Sequence, residues 1–296
     1  MRKWLRRLAW GLAAVIGILA VGVGVLYAKS SMRIAKRHDV PALTVPIPTD
    51  SAAIARGRHV ATAVAMCLDC HGERYEGKVM VDDAGFGRIV APNLTPAGAV
   101  ADYTDADWVR AIRHGVSPAD RSLRIMPSAE YQHLTDEDLG AVVAYLKTLP
   151  PVIHPLPEFR VGPIGRFLIV TNKFPVLAAE AIDHSAPRPP APEPAPTPEY
   201  GRYLADIGCA GCHGPQLRGG LPPAGGPDIT PAGATAGWTK EDFLLALRAG
   251  KRPDNTVIGQ GMPWRRTLQM TDVELAALWA YVQELNPQVA LRRRTP

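Results

Sequence analysis

The sequence predicts a mainly α protein in which one membrane-spanning helix is followed by two tandem copies of a single helical unit. Three observations carry this prediction: an uncharged run from Leu8 to Ala28, a Cys-x-x-Cys-His pentapeptide that occurs twice, and a set of helix-capping and Met-Pro motifs repeated at matching offsets. The 296 residues are 47% hydrophobic and 21% charged, with a mean hydropathy of -0.03, which excludes long disordered tracts and a polytopic membrane protein. Proline, at 29 residues, is about twice its usual share of roughly 5%, whereas aromatic residues make up only 6%. Two units sharing this length therefore have few large rings for their cores, and something else must fill them.

The first 37 residues read as a membrane anchor. As a helix, the uncharged run rises about 31 Å, enough to cross the hydrocarbon layer. Trp4 and Trp10 lie at one end and Tyr27 at the other, where amphipathic rings favour the interface. A cleaved signal peptide with Ala28-Lys29-Ser30 as its small-residue site is the competing reading, but its apolar region would be shorter. Four bases flank the run on each side, so the positive-inside rule leaves the orientation open. The basic balance belongs to the chain ends. Without the eight bases of residues 1–37 and Arg292, Arg293 and Arg294, 22 bases face 28 acids, a net charge of −6, and a nucleic-acid-binding reading loses its support.

All four cysteines fall in Cys67-Leu68-Asp69-Cys70-His71 and Cys209-Ala210-Gly211-Cys212-His213. C-x-x-C-H is the attachment signature of c-type haem, since two thiols one turn apart can bond the two vinyl groups of one haem while the next residue turns its imidazole to the iron. A four-cysteine zinc site would bring its pairs within about 15–20 residues of each other; here 138 residues intervene. A thioredoxin-like site needs strand and helix context, and the flanking sequence is Gly/Pro-rich without strand runs. Two structural disulfides leave both histidines unexplained. Two covalently attached haem c groups are therefore expected, and this chemistry places the haem units on the periplasmic side of the inner membrane.

The duplication extends beyond the cysteines. Ala91-Pro92-Asn93-Leu94-Thr95-Pro96 returns as Gly226-Pro227-Asp228-Ile229-Thr230-Pro231, and Met126-Pro127 returns as Met262-Pro263. In both halves a Thr follows nine residues after the Met and a Tyr nineteen after it. Thr104 with Asp107, Thr135 with Asp138, Thr239 with Asp242 and Thr271 with Glu274 have the T-x-x-D/E spacing in which hydroxyl and acid cap each other's backbone donors, giving four helix starts. Leu139, Val142, Val143 and Leu146, and likewise Leu275, Leu278, Trp279 and Val282, fall at i, i+3, i+4 and i+7, so each half ends in an amphipathic helix. Helical stretches also lead into both haem motifs, from Ser51 to Met66 and from Pro198 to Ile207.

This order resembles the class I cytochrome c fold, and its double form resembles the dihaem cytochrome subunits of membrane-bound alcohol and sugar dehydrogenases. The resemblance covers Ala52 to Pro150 and Glu199 to Val289. It implies domains at 51–150 and 199–291, with the anchor at 1–37 before them. It also implies that the carbonyls of Pro92 and Pro227 orient the two proximal histidines.

The sixth ligands follow by elimination. No histidine comes after His213, so Met262 and Met270 are the distal candidates in the second half. Met270 precedes the capping Thr271 and matches Leu134, a staple position expected to pack on Leu275. Met262, followed by Pro263 and matched by Met126, is the better ligand, which assigns His71 and Met126 to one iron and His213 and Met262 to the other. Met80 reads as loop packing. His114 and His133 read as surface residues near helix ends, His59 as a packing residue on the first helix, and Trp108 and Phe243 as core or haem wall.

Between the halves, Ala186 to Pro198 holds seven prolines and reads as an extended linker over 186–198. Residues 151–185 carry an apolar patch of Phe159, Phe167, Leu168, Ile169, Val170 and Phe174. The patch could pack on the first unit, dock a partner or lie on a membrane surface, and the first is preferred. A haem with both axial positions filled by protein has no substrate site, so no catalytic residue is assigned and electron transfer is expected. The implied partners are a membrane-bound redox complex (dehydrogenase, quinol oxidoreductase or oxidase), a soluble cytochrome or copper protein, and the membrane itself. A dihaem peroxidase or thiosulfate-type oxidase is the alternative, and a structural or assembly subunit a further one.

Overall fold

The computed structural model describes residues 2–40, 44–173, 176–187, 190–220, 225–259 and 261–286. Phe174, part of the linker and the C-terminal arginines lie outside them. Helix α1 (Arg2–Ala35) is the anchor, and its apolar stretch has no part buried against the protein. The first half follows as α2 (Ser51–His59), α3 (Leu68–His71), a hairpin of β1 (Lys78–Asp83) and β2 (Gly87–Ala91), α4 (Asp105–His114), α5 (Ser128–Tyr131) and α6 (Asp136–Lys147). Strand β3 (Arg160–Val161) and α7 (Pro163–Thr171) come next. The second half is α8 (Pro198–Gly208), α9 (Ala210–His213), α10 (Lys240–Ala249), α11 (Trp264–Thr267) and α12 (Asp272–Glu284).

All four predicted helix starts are present, and three are reciprocal capping boxes. At Thr135 the hydroxyl still accepts from the Asp138 N–H, but the Asp138 carboxylate turns away to Arg56 and Tyr203. The predicted first helix changes pitch: after His59 the chain widens into a π-turn over Val60–Val64, which sets up the haem motif. The hairpin is a departure from the strand-free reading. Val79 pairs with Val90 and Val81 with Ile89, and Asp83 accepts the Gly85 and Phe86 N–H groups to form the turn. Its strands are short and β1 is exposed throughout, so no inside–outside alternation marked it.

Each half closes where its first and last helices cross. A Cβ on Gly57 of α2 would lie 1.8 Å from Ala141 O of α6, and one on Gly201 of α8 would lie 1.9 Å from Ala277 O of α12. Glycine alone permits that approach. The predicted apolar faces are buried there: Leu139, Val142, Val143 and Leu146 in one half, Leu275, Leu278 and Val282 in the other. Full burial of each such side chain stabilises by roughly 1.5–3 kcal/mol.

The two halves share one continuous core and meet through pairs of repeat-equivalent residues. Tyr203 donates to Asp138 Oδ2 at 2.6 Å, and His59, at the position equivalent to Tyr203, meets Glu274, the equivalent of Asp138, at 2.8 Å. Arg56 forks onto both Asp138 oxygens at 2.8 Å. Arg266 reaches Asp69 within the first haem motif, while its equivalent Glu130 faces Gly211 in the second. Contacts repeated with the roles exchanged are the mark of a twofold interface between copies, retained here within one chain.

Glu274 is 2% exposed, and burial pushes its carboxyl up. The His59 ring, the Thr271 N–H and the Arg56 charge outweigh that and hold it below its ordinary value of 4.5. A carboxyl depressed only in the folded state contributes stability that is present above its unfolded value and lost as pH falls through the folded one. The melting temperature is therefore expected to drop on acidification below about pH 4.5, and Glu274→Gln to flatten that slope. Thermal scans across the window check this; an unchanged slope would remove Glu274 from the account.

Candidate haem sites

Each attachment motif is a single helical turn. His71 N–H donates to Cys67 O and His213 N–H to Cys209 O, both at 2.9 Å, which brings the two cysteines and the histidine of each motif to one side. Gly72 and Gly214, at φ 83° and 73°, end the turns in a conformation that favours glycine. The His71 and His213 Nδ1 atoms lie 2.8 Å from the Pro92 and Pro227 carbonyls respectively, so each ring donates from Nδ1 and leaves Nε2 for a metal. Burial lowers the His71 imidazole below its ordinary value, against the smaller opposite effect of the Pro92 carbonyl. Burial thus favours the neutral ring, the form that ligates. Burial raises the Cys67 and Cys209 thiols to about 12, with the neighbouring Cys70 and Cys212 adding to it.

A cavity of about 840 Å³ opens beside the first motif, within the roughly 300–1,000 Å³ typical of cofactor sites. Cys67, Cys70, His71, Pro92 and Met126 all line it, with Trp108 as part of its apolar wall. An imidazole, a thioether sulfur and two thiols converging on one apolar chamber fit a haem c. Met126 and Met262 occupy matching turns: Met126 O accepts from Ser128 N–H and Met262 O from Trp264 N–H, both at 2.8 Å, and the prolines that follow share φ −79° with ψ 50° and 48°. Met270 is 1% exposed and sits in the core with Leu275, as Leu134 does with Leu139. Phe243 is also core, its ring 5.5 Å from that of Trp279.

Met80 lies on β1 rather than in a loop and lines the cavity. His114 departs from the surface position expected near a helix end. It is buried rather than superficial, with its Nδ1 3.1 Å from that of His184, because residues 178–184 fold back over the end of α4. His133 is half-buried in the turn before α6, and His59 joins the ion network between the halves.

Several positioning residues were not legible in the motifs. Tyr131 donates to Ala65 O at 2.6 Å and walls the cavity. Residues 176–178 run along 123–125, with Ile125 N–H on Val176 O and Ala178 N–H on Leu123 O, both at 2.9 Å, so the segment after the first unit backs the Met126 turn. Arg124 stacks 4.3 Å from the Phe159 ring at the same place. In the second half, a Cβ on Gly226 would come within 2.8 Å of the His213 ring, and the only sequence signal for that contact is Gly where the first half has Ala91.

Comparison with known proteins agrees with this geometry. Residues 52–146 match the family described as cytochrome C oxidase, cbb3-type, subunit III, and residues 198–286 match the family described as cytochrome c. The chain is 26% identical over 274 residues to the cytochrome c subunit of a quinone alcohol dehydrogenase from Gluconacetobacter polyoxogenes, covering 80% of this chain and 57% of that one. It is 26% identical to the fructose dehydrogenase cytochrome subunit of Gluconobacter japonicus, covering 83% and 55%. The chain thus spans little more than half the length of these relatives. To a dihaem cytochrome c-type protein of Cereibacter sphaeroides it is 30% identical over 223 residues, covering 68% of this chain and 72% of that one. With two attachment motifs in two repeated cytochrome c units behind an apolar anchor, the chain belongs to the dihaem c-type cytochromes and carries two covalently bound haem c groups.

Proposed function

We propose that this cytochrome is a membrane-anchored relay that takes single electrons from a dehydrogenase and passes them to a terminal acceptor, with both haem units on the periplasmic face of the inner membrane. The haem groups supply reversible one-electron chemistry. The observation that carries the reading is the matched pair of sites: in each half a histidine held on a proline carbonyl and a methionine in the same Met-Pro turn. His71 and Met126 serve one iron, His213 and Met262 the other. A histidine and a methionine from this chain would hold each iron, which would leave no place there for a substrate. Thioether ligation in place of a second imidazole favours the reduced state, which suits transfer towards an oxidising acceptor. The dehydrogenase partner is supported by relatives named as cytochrome subunits of alcohol, fructose and gluconate dehydrogenases.

The native protein, once reduced, is expected to resist carbon monoxide at both haems. Met262→Ala and Met126→Ala should each open one site to carbon monoxide and lower one of two potentials in a redox titration. Rapid carbon monoxide binding by the unaltered protein, with turnover of peroxide, would instead make it a dihaem enzyme. The partner is tested by purifying the native complex: a substrate-reduced dehydrogenase that co-purifies and reduces both haems is the expected companion.

A further inference from the structure

Helix α1 leaves its apolar run at Ala28, and at that point α7 packs against it. The Arg166 guanidinium stacks 4.4 Å from the Tyr27 ring and donates to Ser30 Oγ and Ser31 Oγ, both at 2.9 Å. One turn further along, Arg33 donates to Ile169 O and pairs with the Glu180 carboxylate. At a rise of 1.5 Å per residue, Ser30 and Ser31 lie about 3–5 Å past the apolar run, so the first half of α7 is held at the depth of the lipid headgroups.

The outward face of α7 is apolar at that depth. Gly165 and Ile169 face inward and are buried, whereas Ile164 and Phe167, one turn apart, are 44% and 53% exposed. Phe86, 40% exposed at the hairpin tip, joins them through hydrogen bonds from Ile164 N–H to Gly85 O at 2.9 Å and from Gly162 N–H to Phe86 O at 2.8 Å. A surface helix normally turns a polar face to water; one with apolar side chains on both faces has a second apolar neighbour. Here that neighbour is already present, because the patch adjoins the anchor where it emerges from the bilayer. The cations of Lys29 and Arg166 lie at the same level, where they suit anionic headgroups.

We infer that Phe86, Ile164 and Phe167 form a membrane seat: the tip of the hairpin and the first turns of α7 dip into the lipid interface beside α1. The first haem unit is then held to the membrane at two points rather than swinging on one helix. Ile34 of α1 and Phe159, next to β3, line the same cavity as His71, so the seat also fixes the height of that cavity above the bilayer.

The test uses the full holoprotein in vesicles of phosphatidylethanolamine and phosphatidylglycerol. Because the four native cysteines are consumed by haem attachment, Phe167→Cys and Ile164→Cys each carry a single free thiol for a nitroxide label. Val257→Cys, at an exposed position of the second unit, is the reference. Collisions of the label with oxygen, which concentrates in lipid, are compared with those of a water-soluble nickel chelate. Oxygen is expected to dominate at 167 and 164, and nickel at 257. Dominance of nickel at both seat positions would overturn the proposal, as would a label shielded from both reagents, since the face would then be covered by protein. Each variant is checked for an unchanged haem spectrum, and if one fails to take up haem, the other carries the test.

Discussion

Replacing Cys209 and Cys212 together by serine is expected to yield a chain with one covalent haem instead of two. The thiols are the only cysteines of the second half, and both lie on the turn that begins at Cys209 and ends at His213. Serine keeps the size and the backbone of that turn but cannot form the thioether bonds. Intact mass in denaturing solvent should fall by one haem, and the remaining spectrum should be that of the first site. The Cys67→Ser, Cys70→Ser pair should give the reciprocal result, leaving only the second site. A denatured mass that still carries two haems in either variant would show that attachment does not depend on these thiols.

The second large effect is expected at the helix crossings. Gly57→Val and Gly201→Val would each place a Cβ less than 2 Å from a backbone oxygen, of Ala141 and Ala277 respectively. No rotamer relieves a clash at Cβ, so α2 must separate from α6, or α8 from α12. Overpacking of this kind costs about 3 kcal/mol or more, and for a chain of this size each kcal/mol lowers the melting temperature by roughly 2–4 °C. A fall of about 10 °C in thermal scans is the expected reading, with both covalent haems still present in the denatured mass. Val at either position with an unchanged melting temperature would contradict the crossing geometry.

These two expectations differ in where they were visible. The cysteine pairs were legible from spacing alone, because thioether attachment needs two thiols one turn apart and the iron needs the next residue. The four helix starts were legible for a similar reason: a cap is a contact between residues three apart, and local contacts are written in local sequence. Comparison of the two halves singled out Met126 and Met262. Gly57 and Gly201, by contrast, looked like any other helical glycine. Only the crossing of helices more than 70 residues apart in sequence shows that no side chain fits there.

The hairpin of the first half escaped because its strands are short and β1 lies open to solvent, without the alternation that burial of one face imposes. A helix end suggests solvent for His114, whereas residues 178–184 return to cover it. Residues 176–178 pack along 123–125 of the first unit. That the segment 151–185 braces the Met126 turn and clasps the end of the anchor depends on contacts such as Ile125 with Val176 and Arg166 with Tyr27.

Short-range chemistry is readable in the order of residues: two haem attachment turns, their proline-bearing loops, the Met-Pro turns, the capped helices and an apolar run long enough to cross a bilayer. How distant surfaces meet is set by the folded chain. His59 finds Glu274, Tyr203 finds Asp138, and α7 lies against the emerging anchor, because the repeated units bury one shared core and bring together groups that no local spacing relates. Spacing can record which residues share one turn or one face. The partner across a fold is chosen by packing of the whole chain.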